Sequence, residues 1–474
     1  MRLLIVSLAS ALISCAPVHS QDKPNIVVFI ADDLGWEDIG PYGHETVQTP
    51  NLDRLAAEGM LFENAMLTSP QCSPSRISLL TGLYPHQTGT EDLHSPLSPE
   101  FQTVATHLNQ AGYFTGLLEK DHLGPTAIEE FDFFDPLLNG LTSFLDQAGD
   151  QPFFLWAASI DPHRPYGGEP GPSGTHGAAD RVHNADTIPV RAHLIDDAAT
   201  RGDLALYLDE IHRFDLFIGD VTDELETRGL AENTLVLFLA DNGAPFPREK
   251  GSLYDAGIKS PLIAHMPSEI PAGAVHSSQV SLINLAPTLL DYAGIDAPAY
   301  MEGRSLRPAL QGETTEGDAY TFAARDWHNI HEHQRMVRTD QFKLIWVGAH
   351  TAEPIGVASD LGNSPSWYSL QAAELAGTLT AAQSRLFEAP RASIEFYDLL
   401  ADPGEYVNQA ANPEFAAQVS ALSAELRAWR VRTNDHEPTE RRRGNNVDRI
   451  TGIKFQPETP PLYDLTTPPP TLPE

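Results

Sequence analysis

Cysteine is nearly absent: of 474 residues, only Cys15 and Cys72 carry a thiol. Cys15 lies in the leader-like start MRLLIVSLASALISCAPVHSQ, so once that segment is set aside Cys72 has no partner for an intrachain disulfide. Basic residues are scarce too. Thirty Lys and Arg stand against 65 Asp and Glu, a formal charge of −35, which argues against nucleic-acid binding or any polyanion-coating surface and for high solubility. An anionic substrate stays open, because at marine salt the Debye length is only a few ångströms and a local cluster of cations governs its own pocket. Apolar runs beyond Leu3–Ile13 are too short or too polar for a spanning helix. No internal repeat is apparent, and no His/Cys cluster at ligand spacing marks a zinc site.

Arg2 and the apolar run after it match a signal-peptide core. Two export readings stand side by side. Leu12-Ile13-Ser14-Cys15 resembles a bacterial lipoprotein box, cleaved before Cys15 and leaving a lipid anchor as the only membrane tie; Val18-His19-Ser20 resembles an ordinary cleavage site closing a 1–20 signal peptide. Either places the mature chain in the periplasm or at the outer membrane of a Gram-negative bacterium, and the acidic composition suits a marine one.

Asn25 to Ala31, Tyr113 to Leu118, Phe153 to Ser159 and Thr234 to Ala240 read as buried strands. Helical patterns fall between them, around Asn51 to Glu58, Phe101 to Gln110, Leu137 to Gln147 and Leu204 to Glu226. This alternation predicts an α/β fold, a mostly parallel sheet with helices on both faces, over residues 24–303. From 304 to 440 shorter strand candidates, Tyr320 to Ala324, Met336 to Val337, Lys343 to Val347 and Ile394 to Leu399, precede a helix near Phe415 to Val431. They predict a smaller α+β subdomain with an antiparallel sheet, followed by a Pro-rich tail, 441–474.

The first strand ends in Asp32 and Asp33, and the Thr234 to Ala240 strand in Asp241, Asn242 and Gly243. Taken singly, such residues are more often turn chemistry than ligands. Both pairs nevertheless fall at the carboxyl edge of one predicted parallel sheet, where ligands gather, and they supply hard oxygen donors suited to Ca²⁺ or Mg²⁺. Cys72 precedes Ser75-Arg76-Ile77-Ser78-Leu79-Leu80-Thr81-Gly82, which suits a short helix beginning near Pro74 or Ser75. A group at that tip sits in the positive end of the helix dipole beside the fixed charge of Arg76, an arrangement that faces an oxyanion.

CSPSR followed by LLTG resembles the signature of the type I sulfatases, in which the Cys of C-x-P-S-R is oxidised to formylglycine by a formylglycine-generating or anaerobic sulfatase-maturating enzyme. The resemblance implies an alkaline-phosphatase-like fold and hydrolysis of sulfate esters or sulfamates on a sulfated oligosaccharide or polysaccharide. It makes Asp32, Asp33, Asp241 and Asn242, with modified residue 72, the ligands of a Ca²⁺ ion. TGLLEKDHLGP aligns Lys120 and His122 with the family's active-site Lys and His, DPHRP aligns His163 with another active-site His, and Lys250 falls at a sulfate-contacting cation. Arg76, Lys120, His122, His163 and Lys250 thus join Cys72 as candidate catalytic residues. Within the family, the combination looks most like the N-sulfoglucosamine sulfohydrolase branch and its bacterial relatives. Glu119 and Asp121 depart from the pattern, as does Lys259, and a carboxylate on each side of Lys120 is expected to raise its pKa or redirect it.

Bland readings stand beside these. His122 and His163 read singly as hydrogen-bonded structural histidines, and Lys120 and Lys250 as solvated cations. His328 and His331, in RDWHNIHEHQR, either line a sugar subsite with Trp327 or pack the second domain. Two other functions compete: a phosphomonoesterase or phosphodiesterase of the same superfamily, and a catalytically silent glycan-binding surface lipoprotein in which Cys72 stays a thiol.

Overall fold

The computed structural model describes residues 23–166, 179–328, 332–348, 354, 358 and 361–436. The export segment with Cys15, the 441–474 tail and His331 lie outside the described residues. The four apolar segments form adjacent parallel strands in the order Phe114–Glu119, Phe153–Ala158, Asn25–Ala31, Thr234–Ala240. They are the centre of an eight-stranded sheet in which Leu262–His265 runs against its neighbours. Their apolar runs are continuous because both faces are covered. Ile26, Val28 and Ile30 enter one core with Ile77 and Leu80 of the helix Cys72–Thr81. Val27, Phe29 and Ala31 enter the other with Tyr207, Ile211 and Phe214 of the helix Ala198–Thr227.

Register then does the positioning. Ala31 pairs with Ala240, Ile30 with Ala158 and Ala158 with Glu119, so four strands end level and deliver Asp32, Asp241, Ser159 and Lys120 to one edge. Backbone bonds continue past the ladder: Asp241 N donates to Ala31 O at 3.1 Å, and Lys120 N to Ala158 O at 2.9 Å.

The smaller antiparallel sheet orders Thr321–Arg325, Gln334–Arg338, Phe342–Val347 and Ile394–Asp398, with the helix Ala416–Arg432 packed on it through Leu422, Leu426 and Trp429. Among the described residues, no helix is long and apolar enough to cross a membrane.

Helix starts differ from the sequence expectation. The helix expected from Phe101 begins at Val104, because the Thr103 hydroxyl caps Ala105 N at 3.2 Å. The one expected from Leu204 begins at Ala198, capped by Asp197 on Thr200 N at 2.8 Å. The helix expected near Pro74 or Ser75 begins at Cys72. Pro74 sits in its first turn, where a missing N–H breaks no bond, and Ser75 N closes the turn on Gln71 O at 3.0 Å.

Candidate active site

Asp32, Asp33, Cys72 and Asp241, all buried, bring one ligand atom each within 4.8 Å of one another. Asn242 adjoins the group: its Nδ2 donates to Asp33 Oδ1 at 2.7 Å. Asp33 N donates to Asp241 Oδ1 at 3.1 Å, and Cys72 Sγ lies 3.9 Å from Asp33 Oδ1. Asp32 Oδ1 and Asn242 Oδ1 are buried and accept no hydrogen bond. Buried carboxylate and amide oxygens without donors fit a hard divalent cation such as Ca²⁺.

Three cations close round these acids. Arg76, with no exposed surface, donates from Nε to Asp241 Oδ2 at 2.7 Å and from Nη1 to Lys120 O at 3.1 Å, while Nη2 has no partner. Lys120 Nζ holds Asp32 Oδ2, and Lys250 Nζ lies 2.6 Å from Asp33 Oδ2. Both ammonium groups are buried, so the solvated-cation reading does not hold for them. His163, partly exposed, places Nε2 3.8 Å from Asp33 Oδ2.

Burial, followed by the cations Lys120, Arg76 and Lys250, holds the His122 imidazole well below its usual range, so it is neutral and basic-site free at working pH. Cys72 goes the other way. Burial, joined by Asp241 and Asp33 against Lys250 and Arg76, pushes its thiol well above the usual range. The helix tip therefore does not activate a thiolate here; unmodified Cys72 is a protonated, weak nucleophile.

Each carboxylate flanking Lys120 accepts a backbone N–H. Glu119 Oε2 accepts from Ile160 N at 2.9 Å and Asp121 Oδ1 from His122 N at 2.5 Å. His328 is buried, and the carbonyl of Trp327 accepts from Gln71 Nε2 at 3.1 Å, so this end of the small sheet abuts the Cys72 helix.

Sequence reasoning missed His94. Its ring meets that of His122 edge-on at 4.5 Å, its backbone N–H donates to Ser73 Oγ at 2.5 Å, and the Nδ1 atoms of both histidines are buried without partners. A lone His in a loop carries no local signature. The backbone does carry one: Asp33, His94, Glu119 and His122 all have positive φ, between 49° and 66°, a strained conformation for non-glycine residues that gathers at functional centres.

The sulfatase profile matches residues 24–135 and 129–295, and that of the N-sulphoglucosamine sulphohydrolase C-terminal region matches 248–360. Human N-sulphoglucosamine sulphohydrolase is 33% identical, across 93% of this chain and 95% of its own. An ulvan-active sulfatase of Formosa agariphila is 28% identical, across 86% of this chain and 80% of its own. The solved structure of BT4656 in complex with its substrate D-glucosamine-2-N,6-O-disulfate superposes with a TM-score of 0.69 at 22% identity, covering 88% of this chain and 99% of that one. With a profile match over more than half its length and a relative one-third identical across nearly all of it, the chain belongs to the sulfatases, a family of sulfuric ester hydrolases.

Proposed function

We propose that this chain removes sulfate from a sulfated glycan of the glycosaminoglycan type, as an ester or sulfamate, with residue 72 converted to formylglycine and Ca²⁺ held by Asp32, Asp33, Asp241 and Asn242. The observation that carries this reading is Cys72, in the first turn of its helix, converging with three carboxylates inside a ring of buried cations. When bound, the ion supplies Lewis acidity and the matured residue a nucleophilic hydroxyl.

The chain's own groups do the rest. Arg76, Lys120 and Lys250 offset charge developing on the sulfuryl oxygens, and the spare Arg76 Nη2 is a donor already in place for one of them. His163, reachable from solvent, gives a proton to the departing oxygen or nitrogen. His122, kept neutral by burial and the cations round it, would accept a proton at its imidazole beside residue 72. Human N-sulphoglucosamine sulphohydrolase and the ulvan-active sulfatase support a saccharide substrate; a zinc phosphoesterase is disfavoured, since the candidate metal cluster contains no histidine. Export through the Leu3–Ile13 leader and a dedicated maturating enzyme belong to the same proposal.

The test is sulfate release from desalted heparan, chondroitin and algal oligosaccharides by the native chain and by Cys72→Ala, with mass spectrometry of the peptide containing residue 72. Loss of the thiol mass, release from at least one glycan, and a silent Ala variant are expected. An active Cys72→Ala sinks the reading, and an intact thiol with glycan retention supports a binding protein instead.

A further inference from the structure

Arg325 ends the strand Thr321–Arg325 with its side chain 1% exposed, and two of its three guanidinium nitrogens are unused. Nη1 lies 3.4 Å from Glu332 Oε2, while Nε and Nη2 have no hydrogen-bond partner. Those two nitrogens form one edge of the guanidinium, the edge that grips two oxygens of a carboxylate or sulfate side-on. A buried charged donor left unmade forfeits its water without recompense. Glu332 is shared with Arg391 Nη1, also at 3.4 Å, so two guanidinium groups face one carboxylate. The neighbouring acid, Asp326, is already engaged by His333 at 2.8 Å and by Arg335 at 3.1 Å.

This edge lies next to the active centre. Gly251 follows Lys250, whose ammonium is on Asp33, and a methyl group on Gly251 would stand 3.8 Å from Arg325 Cζ and Nη2 and 3.6 Å from His328 Nδ1. The fork thus lies beside the backbone of the residue that follows the Asp33-bound lysine. The strand is also fixed to the main sheet's side of the molecule, through Ala324 N to Thr68 O at 2.9 Å.

We propose that the Nε/Nη2 edge of Arg325, with His328 beside it, is a second anion subsite, taking a two-oxygen anion, carboxylate or sulfate, on the saccharide whose other sulfate is cleaved. The proposal rests on the sulfatase reading above and adds to it that the preferred substrate carries two anions.

The test uses the matured full-length enzyme with Arg325→Gln and Arg325→Lys, following sulfate release by ion chromatography from three probes: N-sulfated glucosamine, the same sugar carrying a 6-O-sulfate, and a disaccharide joining a uronic acid to N-sulfated glucosamine. Arg325→Gln is expected to raise KM for at least one two-anion probe by about 10- to 100-fold while kcat/KM for the one-anion probe changes by less than about threefold. The probe that responds identifies sulfate or carboxylate as the ligand. Arg325→Lys, which keeps the charge without the fork, recovers only part of the loss. Equal KM values for all three probes in the native enzyme, or equal losses on all three in Arg325→Gln, overturn the proposal. If Arg325→Gln does not fold, melting of the native enzyme with millimolar glucuronate or glucose 6-sulfate decides: a rise with either supports the subsite, and none with both overturns it. A native enzyme that releases sulfate from no probe counts against the sulfatase reading on these sugars, and the same melting experiment still decides the subsite.

Discussion

Asp32→Asn separates a metal site from a mere knot of ion pairs, because Asp32 has one oxygen on Lys120 and one on nothing. In calcium-free buffer the substitution leaves the buried Lys120 ammonium without its carboxylate, a loss of about 3–5 kcal/mol for a broken buried pair. With an unfolding entropy of about 2.1 cal/mol/K per residue over roughly 400 folded residues, about 0.85 kcal/mol/K, that is a fall in Tm of about 4–6 °C. Calcium at about 100 times its Kd adds about 2.7 kcal/mol to the native chain, a rise of about 3 °C. If Asn at this position weakens binding about 30-fold, the same calcium adds only about 0.9 kcal/mol, near 1 °C. Scanning fluorimetry of both proteins, in chelator and across a calcium titration, reads all of these values. Equal calcium shifts in the two proteins, or no shift in the native chain, would refute the ligand role of Asp32 while leaving the ion-pair cost intact.

Two further outcomes follow from the site and its surroundings. His163→Ala should lower kcat by about 10²- to 10⁴-fold on a sugar sulfate but by less than about tenfold on nitrophenyl sulfate, whose phenolate leaves without a proton; equal losses would remove His163 from the acid role. Glu249, which lies 2.9 Å from His193 Nε2, is pushed by burial, with repulsion from Glu37 and against Arg191, from 4.5 up to about 8. Its raised pKa means the folded state keeps a proton that the unfolded state loses, so this stabilisation is complete below about pH 4.5 and drains away as pH rises toward 8. Urea unfolding of native protein and Glu249→Gln should show the native chain losing ground to the variant between pH 5 and 8, by at most about 1.4 kcal/mol per pH unit; a pH-independent difference contradicts the shift.

What was legible in the chain is what burial makes legible. Asn25–Ala31 and Thr234–Ala240 read correctly to the residue because both faces are covered and no polar residue interrupts them. Their acidic ends stood out for the same reason, as charge appearing where a buried strand stops. Met60–Phe62, Ala65–Met66 and Ala274–His276 were not read, being too short for any period to show. The start of the Cys72 helix was misplaced because proline signals a first turn without saying which position in it. His94 lacked any local pattern and matters only through His122, 28 residues on; Arg325 opens the polar stretch RDWHNIHEHQR, but its place beside Gly251 comes from far along the chain.

The level ending of the four central strands has a consequence for how such an enzyme diversifies. Spacing between Asp32, Asp241 and Lys120 is inherited from the ladder itself, through bonds such as Asp241 N to Ala31 O and Lys120 N to Ala158 O. Segments that touch neither the strand ends nor the helix Cys72–Thr81 can therefore vary while these acidic strand tips stay in register, a division of labour that lets one scaffold host different sites.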